Sequence, residues 1–213
     1  MTLKRIWISL FTLLPLLCLA EPEVWSEWKR RAVTLWPTTC TEFSGQMLVP
    51  RLLPSTQQPA PVVLILGKPD AATVELTAWL HRQAIHVVFL DGVAFADTKA
   101  TLPHVQRAIR LIRFRSAEWQ IDSEAVALLA CDPVCGTLAT QVVMAGEKSV
   151  YASSDRVDRG DLLVNMVILL NAGDGATLRT GPEATRPELF TATGDSWHKP
   201  LAAWLDPFKS DVF

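Results

Sequence analysis

The stretch Val62-Val63-Leu64-Ile65-Leu66 decides the fold class of this chain, and Gly67 ends it. An unbroken run of β-branched and aliphatic residues, without polar alternation, is typical of a strand that is buried on both faces of a sheet. Residues 71–84 follow with apolar positions at helical spacing, and 85–90 form a second buried β-rich run. A strand, a helix and a second strand in this order predict a parallel βαβ unit.

The chain beyond residue 90 repeats this alternation. Residues 101–119 predict a strongly amphipathic helix, because Leu102, Val105, Ile109 and Ile112 share one face. The arginines of this helix are expected to lie mostly away from that apolar face, and they are Arg107, Arg110, Arg113 and Arg115.

Further apolar runs predict three more strands and two more helices. The strands are expected at 125–130, 162–170 and 187–193, and the helices at 136–145 and 197–208. Residues 21–60 are expected to supply edge strands, with 47–49 as one candidate. Strands separated by helices predict an α/β fold, a three-layer α/β/α sandwich with a mostly parallel sheet.

The composition is that of one globular domain. The chain has 213 residues, of which 49% are hydrophobic and 20% are charged, with a formal net charge of −2. This length usually corresponds to one domain with a sizeable core. The near-neutral charge leaves no basic footprint, so we expect no nucleic-acid partner. No phosphate-binding loop, dinucleotide fingerprint or zinc-ligand spacing occurs, so we expect neither a cofactor nor a metal.

The first twenty residues have the three parts of a secretory signal peptide. Lys4 and Arg5 supply the positive start, residues 6–17 supply an apolar run, and 18–20 supply the cleavage position. The run is shorter than the roughly 20 residues that a membrane span needs, although an uncleaved anchor is an alternative. We therefore predict a signal peptide at 1–20 and a single domain at 21–213. The mature chain is expected to be secreted or periplasmic, with no membrane segment after cleavage.

Export would bring three cysteines, Cys40, Cys131 and Cys135, into an oxidising compartment. Because three is an odd number, at least one thiol stays free or pairs between chains. A disulfide between Cys131 and Cys135, a disulfide from Cys40 to either of them, and three buried thiols are all open alternatives. The sequence does not determine the oligomeric state.

Two consecutive segments carry a family resemblance. They read LPHVQRAIRLIR at 102–113 and SAEWQID at 116–122, and a strand is predicted directly after them. This order resembles α/β-hydrolases of the secreted acetyl-xylan and feruloyl esterase type, in which a Gln-Arg-Ala-Ile-Arg helix runs into Ala-Glu-Trp-Gly-Ile-Asp. Leu35-Trp36-Pro37 resembles the opening Leu-Trp-Pro of the same family. The resemblance implies a shortened α/β-hydrolase-like fold, with a small ester or a carbohydrate as the ligand.

The nucleophile elbow of that family is where this sequence departs from the pattern. The resemblance implies Gly-x-Ser-x-Gly after the strand at 125–130, but no such motif occurs in the chain. Alignment forward from 117–119 places Asp132 in the serine position, and alignment backward from 136–139 places Pro133 there. The residue after the nucleophile normally donates its amide hydrogen to the oxyanion, and proline has none. A catalytic Asp132 would therefore lack one of its oxyanion donors.

The other catalytic parts that the resemblance implies are also eroded. The glycine-rich stretch after an early strand is reduced to Gly67-Lys68-Pro69, in which the proline removes a further donor. Asp195 is the candidate for the catalytic acid, and His198 is the candidate for the base. The remaining histidines are expected to be structural, and they are His81, His86 and His104.

These residues support two hypotheses about catalysis. The first is an exported hydrolase-like protein, related to carbohydrate esterases, that has lost catalysis and keeps a binding or structural role. The second is an active ester hydrolase with a non-standard nucleophile, for which the candidates are Asp132, Cys135 and Ser196. Cys135 enters because a helix N-terminus favours the thiolate.

A third hypothesis concerns the N-terminal arm. Trp25, Trp28 and the basic residues 29–31 combine aromatic and charged side chains, which can anchor a protein partner. The alternative for this arm is an amphipathic helix that packs on its own domain.

Overall fold

The computed structural model describes residues 30–37, 43–50, 59–67, 71–91, 93–146, 148–151, 155–170, 188–192 and 201–202. These residues contain one seven-stranded sheet with the spatial order β1-β2-β4-β3-β5-β6-β7. The strands are β1 (Arg30–Thr34), β2 (Gln46–Pro50), β3 (Ala60–Leu66), β4 (His86–Asp91), β5 (Ile121–Ala130), β6 (Met166–Leu170) and β7 (Glu188–Ala192). Strands β3 to β7 are mutually parallel, and β2 is antiparallel to both of its neighbours.

Helices cover both faces of the sheet. They are α1 (Ala71–Arg82), α2 (Thr98–Phe114), α3 (Ser116–Trp119) and α4 (Pro133–Ala145), with a 3₁₀ turn at Arg156–Arg159. On one face, α2 and α4 pack against every second side chain of β3 and β5. On the other face, α1 and Leu201 pack against the alternate side chains of the same strands. The predicted three-layer α/β/α sandwich with a mostly parallel sheet is confirmed.

The topology sets two strand ends side by side at the carboxyl edge of the sheet. The last residues of β3 and β5, Leu66 and Ala130, are paired in register. The chain that leaves β3 therefore begins at Gly67 next to the chain that leads from β5 to Asp132. In parallel α/β sheets, ligands bind outside this edge. Among the described residues, none of the helices combines the length and apolarity that a membrane crossing needs.

Several element boundaries differ from the prediction. The helix expected over 101–119 begins earlier, because Asp97 caps it by accepting a hydrogen bond from the amide of Ala100 at 3.0 Å. It also breaks at Arg115, and a separate short helix follows. Residues 47–49 form a strand, but β2 is paired on both sides, so the edge belongs to β1. Arg30 and Arg31 lie in that edge strand, not in an amphipathic helix.

Two further boundaries concern the second half of the chain. The strand expected at 162–170 starts only at Met166, and the helix expected at 136–145 starts at Pro133. The weak strand expected at 187–193 is present as β7. Of the terminal helix expected at 197–208, residues 201–202 are helical and the rest lies outside the described residues.

The expectation that the α2 arginines point away from the core is wrong for Arg107. Its side chain is only 3% exposed, and its guanidinium bonds Asp155 and Asp158 at 2.5 Å each. Burial by itself would lower the pKa of Arg107, but the hydrogen bonds and charges of the two aspartates outweigh it and raise the pKa. The same hydrogen bond from Arg107 holds the pKa of Asp155 below its ordinary value.

Arg110 and Arg113 continue this arrangement along the helix. Arg110 is buried and donates to the carbonyl of Gly160 at 3.0 Å. Arg113 contacts Asp161 at 2.9 Å and donates to the carbonyl of Leu163 at 2.6 Å. Together these three arginines hold residues 155–163 against the helix.

Candidate active site

Asp132 lies at the N-terminus of α4, directly after β5. Its backbone is extended, with φ −142° and ψ 167°, and its carboxylate accepts a hydrogen bond from the amide of Cys135 at 2.8 Å. Its carbonyl accepts a second bond, from the amide of Gly136, at 2.9 Å. Pro133 occupies the first helical position, where a missing amide hydrogen costs nothing. Asp132 is therefore a helix cap, which is a common role for this residue type.

The backbone at Asp132 also lacks the strain of a nucleophile elbow. An elbow holds its nucleophile on a sharp, strained strand-to-helix turn. Among the described residues, the only positions other than glycine with a positive φ are Ala84 and Gln120, which lie elsewhere. The chain from β5 into α4 is an ordinary capped helix start.

Cys135 is a buried thiol that faces the end of β3. It is 1% exposed, and a Cβ atom placed on Gly67 would lie 3.3 Å from its Sγ. Burial, supported by the neighbouring Asp132 carboxylate, raises the pKa of Cys135 to about 12. The expectation that the helix N-terminus favours a Cys135 thiolate is therefore wrong, since desolvation and a nearby negative charge dominate.

Gly67, which follows β3, lies next to both Cys135 and Asp132. Its φ of +117° is in the region that favours glycine, and a Cβ atom there would also lie 3.6 Å from Oδ2 of Asp132. The carboxylate and the Cys135 thiol thus lie against the end of β3, after which the esterase resemblance implies an oxyanion stretch. Residues 68–70, which contain Lys68 and Pro69, lie outside the described residues.

Cys131 lies between the strand and the cap. It is partly buried, and Thr73 of α1 donates a hydrogen bond to its Sγ at 3.6 Å. Cys135 carries a free thiol, so no disulfide joins these two residues. Cys40, the third cysteine of the predicted mature chain, lies outside the described residues.

Two of the described histidines, His86 and His104, have partners other than Asp132. His86 begins β4, at the opposite edge of the sheet, with its Nε2 3.2 Å from the carbonyl of Gln120. His104 lies on α2, where its Nδ1 accepts a hydrogen bond from the indole of Trp36 at 2.8 Å. Burial lowers the pKa of both imidazoles. Neither bonds the Asp132 carboxylate, whose described partner is the Cys135 amide.

The remaining predicted site residues cannot be placed at this edge. Asp195, His198 and Ser196 all lie outside the described residues, as do Trp25 and Trp28 of the N-terminal arm. Within the described part of the chain, no cluster of three or more histidine, cysteine, aspartate or glutamate side chains could hold a metal ion.

The fold is similar to that of several solved esterases. An acetyl ester-xyloside bifunctional hydrolase from Caldicellulosiruptor lactoaceticus aligns with a TM-score of 0.52 and 19% identity, over 66% of this chain and 56% of that one. A thermophilic esterase from the Planctomycetes species Thermogutta terrifontis aligns with a TM-score of 0.52 and 15% identity, over 67% and 52%. The esterase 2 of that organism, phosphonylated by cyclosarin, aligns with a TM-score of 0.58 and 14% identity, over 85% and 95%.

These similarities show an α/β-hydrolase-like fold. The chain spans little more than half the length of the first two of these enzymes. No protein-family model matches the sequence, and no curated protein matches it either.

The cap role of Asp132 leads to a prediction about stability. Asp132→Ala is expected to lower the free energy of unfolding by about 0.5–2 kcal/mol, because the Cys135 amide loses its acceptor. Asp132→Ser is expected to stay within about 0.5 kcal/mol of wild type, because serine caps nearly as well as aspartate. Urea unfolding of the two variants measures the difference. Equal losses for alanine and serine would contradict the cap role.

Proposed function

We propose that this chain is an exported α/β-hydrolase-like protein, related to carbohydrate esterases, that has lost catalysis and keeps a binding or structural role. The observation that carries the proposal is the role of Asp132. This residue, at the position that the resemblance implies for the nucleophile, caps α4 with its side chain. The esterase folds with which the chain aligns support the relation to ester hydrolases.

The backbone after Asp132 is unsuited to an oxyanion hole. Pro133 contributes no amide hydrogen, and the amides of Cys135 and Gly136 are already bonded to Asp132. Removal of a single oxyanion donor costs about 10²–10³ in rate. If Asp132 attacked a substrate, the oxyanion would therefore lack the amide hydrogen of Pro133. The amides of Cys135 and Gly136 would still be bonded to Asp132 and could not donate to the oxyanion.

A cysteine nucleophile at this site is also disfavoured. The thiolate is the reactive form, and the pKa of Cys135 is raised to about 12 by burial and by Asp132. At pH 8 the protonated, unreactive thiol therefore predominates. Burial of the thiol against Gly67 further limits access to a substrate.

The ligand class and the compartment complete the proposal. A small ester or a carbohydrate is the ligand that suits an esterase-like scaffold, and the sequence of residues 1–20 supports export to a secreted or periplasmic location. The protein-interaction hypothesis for Trp25 and Trp28 concerns the N-terminal arm and does not bear on the proposed loss of catalysis.

The decisive experiment measures ester turnover by the purified mature chain. On p-nitrophenyl acetate, acetylated xylan and a feruloyl ester, wild type is expected to turn over no faster than Asp132→Ala. A fluorophosphonate probe and iodoacetamide at pH 8 are expected to leave Asp132, Cys135 and Ser196 unlabelled when peptides are mapped. Turnover that Asp132→Ala or Cys135→Ala abolishes, or a covalent label on any of the three, would overturn the proposal.

A separate measurement distinguishes binding from a purely structural role. Calorimetric titration with acetylated xylo-oligosaccharides is expected to show saturable binding if the strand-end edge still accepts the ligand class of the related enzymes. If no binding is observed, only the structural role remains.

A further inference from the structure

The contact between Trp36 and His104 lies outside the candidate active site and has no part in its chemistry. Trp36 follows β1, and its indole is 4% exposed. Its Nε1 donates to Nδ1 of His104 on α2 at 2.8 Å. A buried indole N–H needs an acceptor, and this imidazole nitrogen supplies it.

This hydrogen bond requires a neutral imidazole. Because Nδ1 accepts the bond, the single ring proton of neutral His104 is on Nε2. A second proton would sit on Nδ1, where it would face the N–H of Trp36. The bond would be lost, and two donors would point at each other.

Among the described residues, the contacts of the His104 ring supply no counter-charge. The rings of Trp36 and Phe43 contact it edge to face, with centroids 5.5 Å away in both cases. On the same helix, one turn further, Arg107 places its guanidinium carbon 5.6 Å from the centroid of the Trp36 ring. An imidazolium at His104 would therefore put a second cation beside the same indole.

In the part of the chain that the structure describes, the groups on the other elements of this cluster do not offset that charge. Tyr151 packs edge to face on Trp36 and stays neutral, since burial and Asp158 raise its pKa to about 12. The two carboxylates of the 3₁₀ region, Asp155 and Asp158, are bonded to Arg107. The described part of the segment around Trp36, residues 35–37 and 43–45, carries no ionisable side chain.

We propose that the hydrogen bond between Trp36 and His104 is a pH-operated latch, which holds the Trp36 indole on α2 at neutral pH and is broken in acid. The partial burial of His104 supports this, because it lowers the pKa of the ring and makes the neutral, bonded form the resting state. Since the folded-state pKa is lowered, the latch is intact above the ordinary histidine value of about 6.5 and is lost as the pH falls through the lower folded value.

The latch lies at the same sheet edge as the candidate active site. Strand β1 runs parallel to β4, with β2 between them. Gln46 of β2 pairs with the last residue of each strand, Thr34 of β1 and Asp91 of β4. Trp36 therefore follows β1 at the carboxyl edge, where Gly67 and Asp132 also lie. The second bond to this segment, from Arg107 Nε to the carbonyl of Leu35 at 3.0 Å, does not depend on His104. Loss of the Trp36–His104 bond in acid is thus expected to loosen the Trp36 indole without unfolding the domain.

The test follows the indole proton of Trp36 in protein labelled with ¹⁵N, assigned with Trp36→Phe. Its protection factor against hydrogen exchange, corrected for the intrinsic pH dependence, is expected to fall severalfold between pH 7.5 and pH 5.0. His104→Asn is the matched control, because the Asn carbonyl oxygen takes the place of Nδ1 and does not titrate. In this variant the protection factor is expected to stay constant.

Two further readouts keep the test decisive. In wild type, the ring nitrogens of His104 and the indole signal are expected to titrate with one shared midpoint, which requires no variant to fold. Amides of β5 are expected to stay protected at pH 5.0. A constant protection factor in wild type, separate midpoints, or simultaneous loss of β5 protection would overturn the latch.

Discussion

Replacement of Arg107 by leucine is expected to lower the free energy of unfolding by about 3–5 kcal/mol. The reason is Asp158, whose side chain is only 6% exposed and whose Oδ1 is bonded by Arg107 at 2.5 Å. Without the guanidinium, a buried carboxylate keeps only the hydroxyl of Tyr151 as a described partner, at 2.6 Å. Urea unfolding measures the loss, and thermal unfolding is expected to show a midpoint lower by about 6–20 °C.

Arg115→Leu is the matched control for this prediction. Arg115 also contacts a carboxylate, Glu118, at 2.6 Å, but both side chains are more than 40% exposed. An exposed pair of this kind contributes about 0–1 kcal/mol. Similar losses in the two variants would show that burial of Asp158 is not the cause.

The pH dependence gives the Arg107 prediction a second test. Arg107 holds the pKa of Asp155 below its ordinary value, so this carboxylate stabilises the folded state above about pH 4 and ceases to do so as the pH falls through its folded value. The difference between wild type and Arg107→Leu is therefore expected to shrink in acid. A difference that grows towards low pH would contradict the assignment of the ion pair.

Trp119→Ala is expected to cost about 3–5 kcal/mol. Trp119 ends the short helix α3, is 2% exposed, and belongs to the core between α2 and the sheet. Its removal leaves a cavity larger than the neighbouring side chains can fill without repacking. Urea unfolding, with a check that the slope against denaturant is unchanged, measures the loss.

Phe114→Ala is the control for Trp119. Phe114 is an aromatic residue five positions earlier, at the end of α2, but it is 54% exposed. Its loss is expected to change the stability by less than about 0.5 kcal/mol. If both variants lost the same amount, the core position of Trp119 would not explain its effect.

The order of strands and helices could be predicted from apolar patterning. Continuous runs such as 62–66 and 125–130 are strands because both faces of the central sheet are covered, as the burial of β3 and β5 shows. Boundaries were less predictable. Asp97 and Asp132 set two helix starts through single side-chain bonds, which an apolar pattern does not register.

The arginines of α2 illustrate what patterning misses. Hydropathy places a charged residue outside, but Arg107 and Arg110 are buried because aspartates and carbonyls from 155–160 reach them. A signal was present in the sequence. Two sets of residues repeat with the same spacing of three, and this spacing would suit a row of ion pairs. They are the arginines at 107, 110 and 113 and the aspartates at 155, 158 and 161.

The candidate site divides in the same way. The absence of Gly-x-Ser-x-Gly and the proline after Asp132 are properties of the sequence, and they predict an eroded elbow. The extended backbone of Asp132, its bond to the Cys135 amide and the raised pKa of Cys135 required the structure. They depend on how the end of β3 packs against the start of α4.

The sequence by itself determined the layered α/β architecture and the missing parts of the elbow, because both follow from residue types and spacings that are close together along the chain. The tertiary structure alone decided which charges are buried, which thiol is kept protonated and which imidazole holds Trp36. Those outcomes rest on partners far apart in the chain, such as Arg107 with Asp158 and Trp36 with His104, 51 and 68 residues apart. Desolvation and hydrogen bonding act only once folding has brought such groups together.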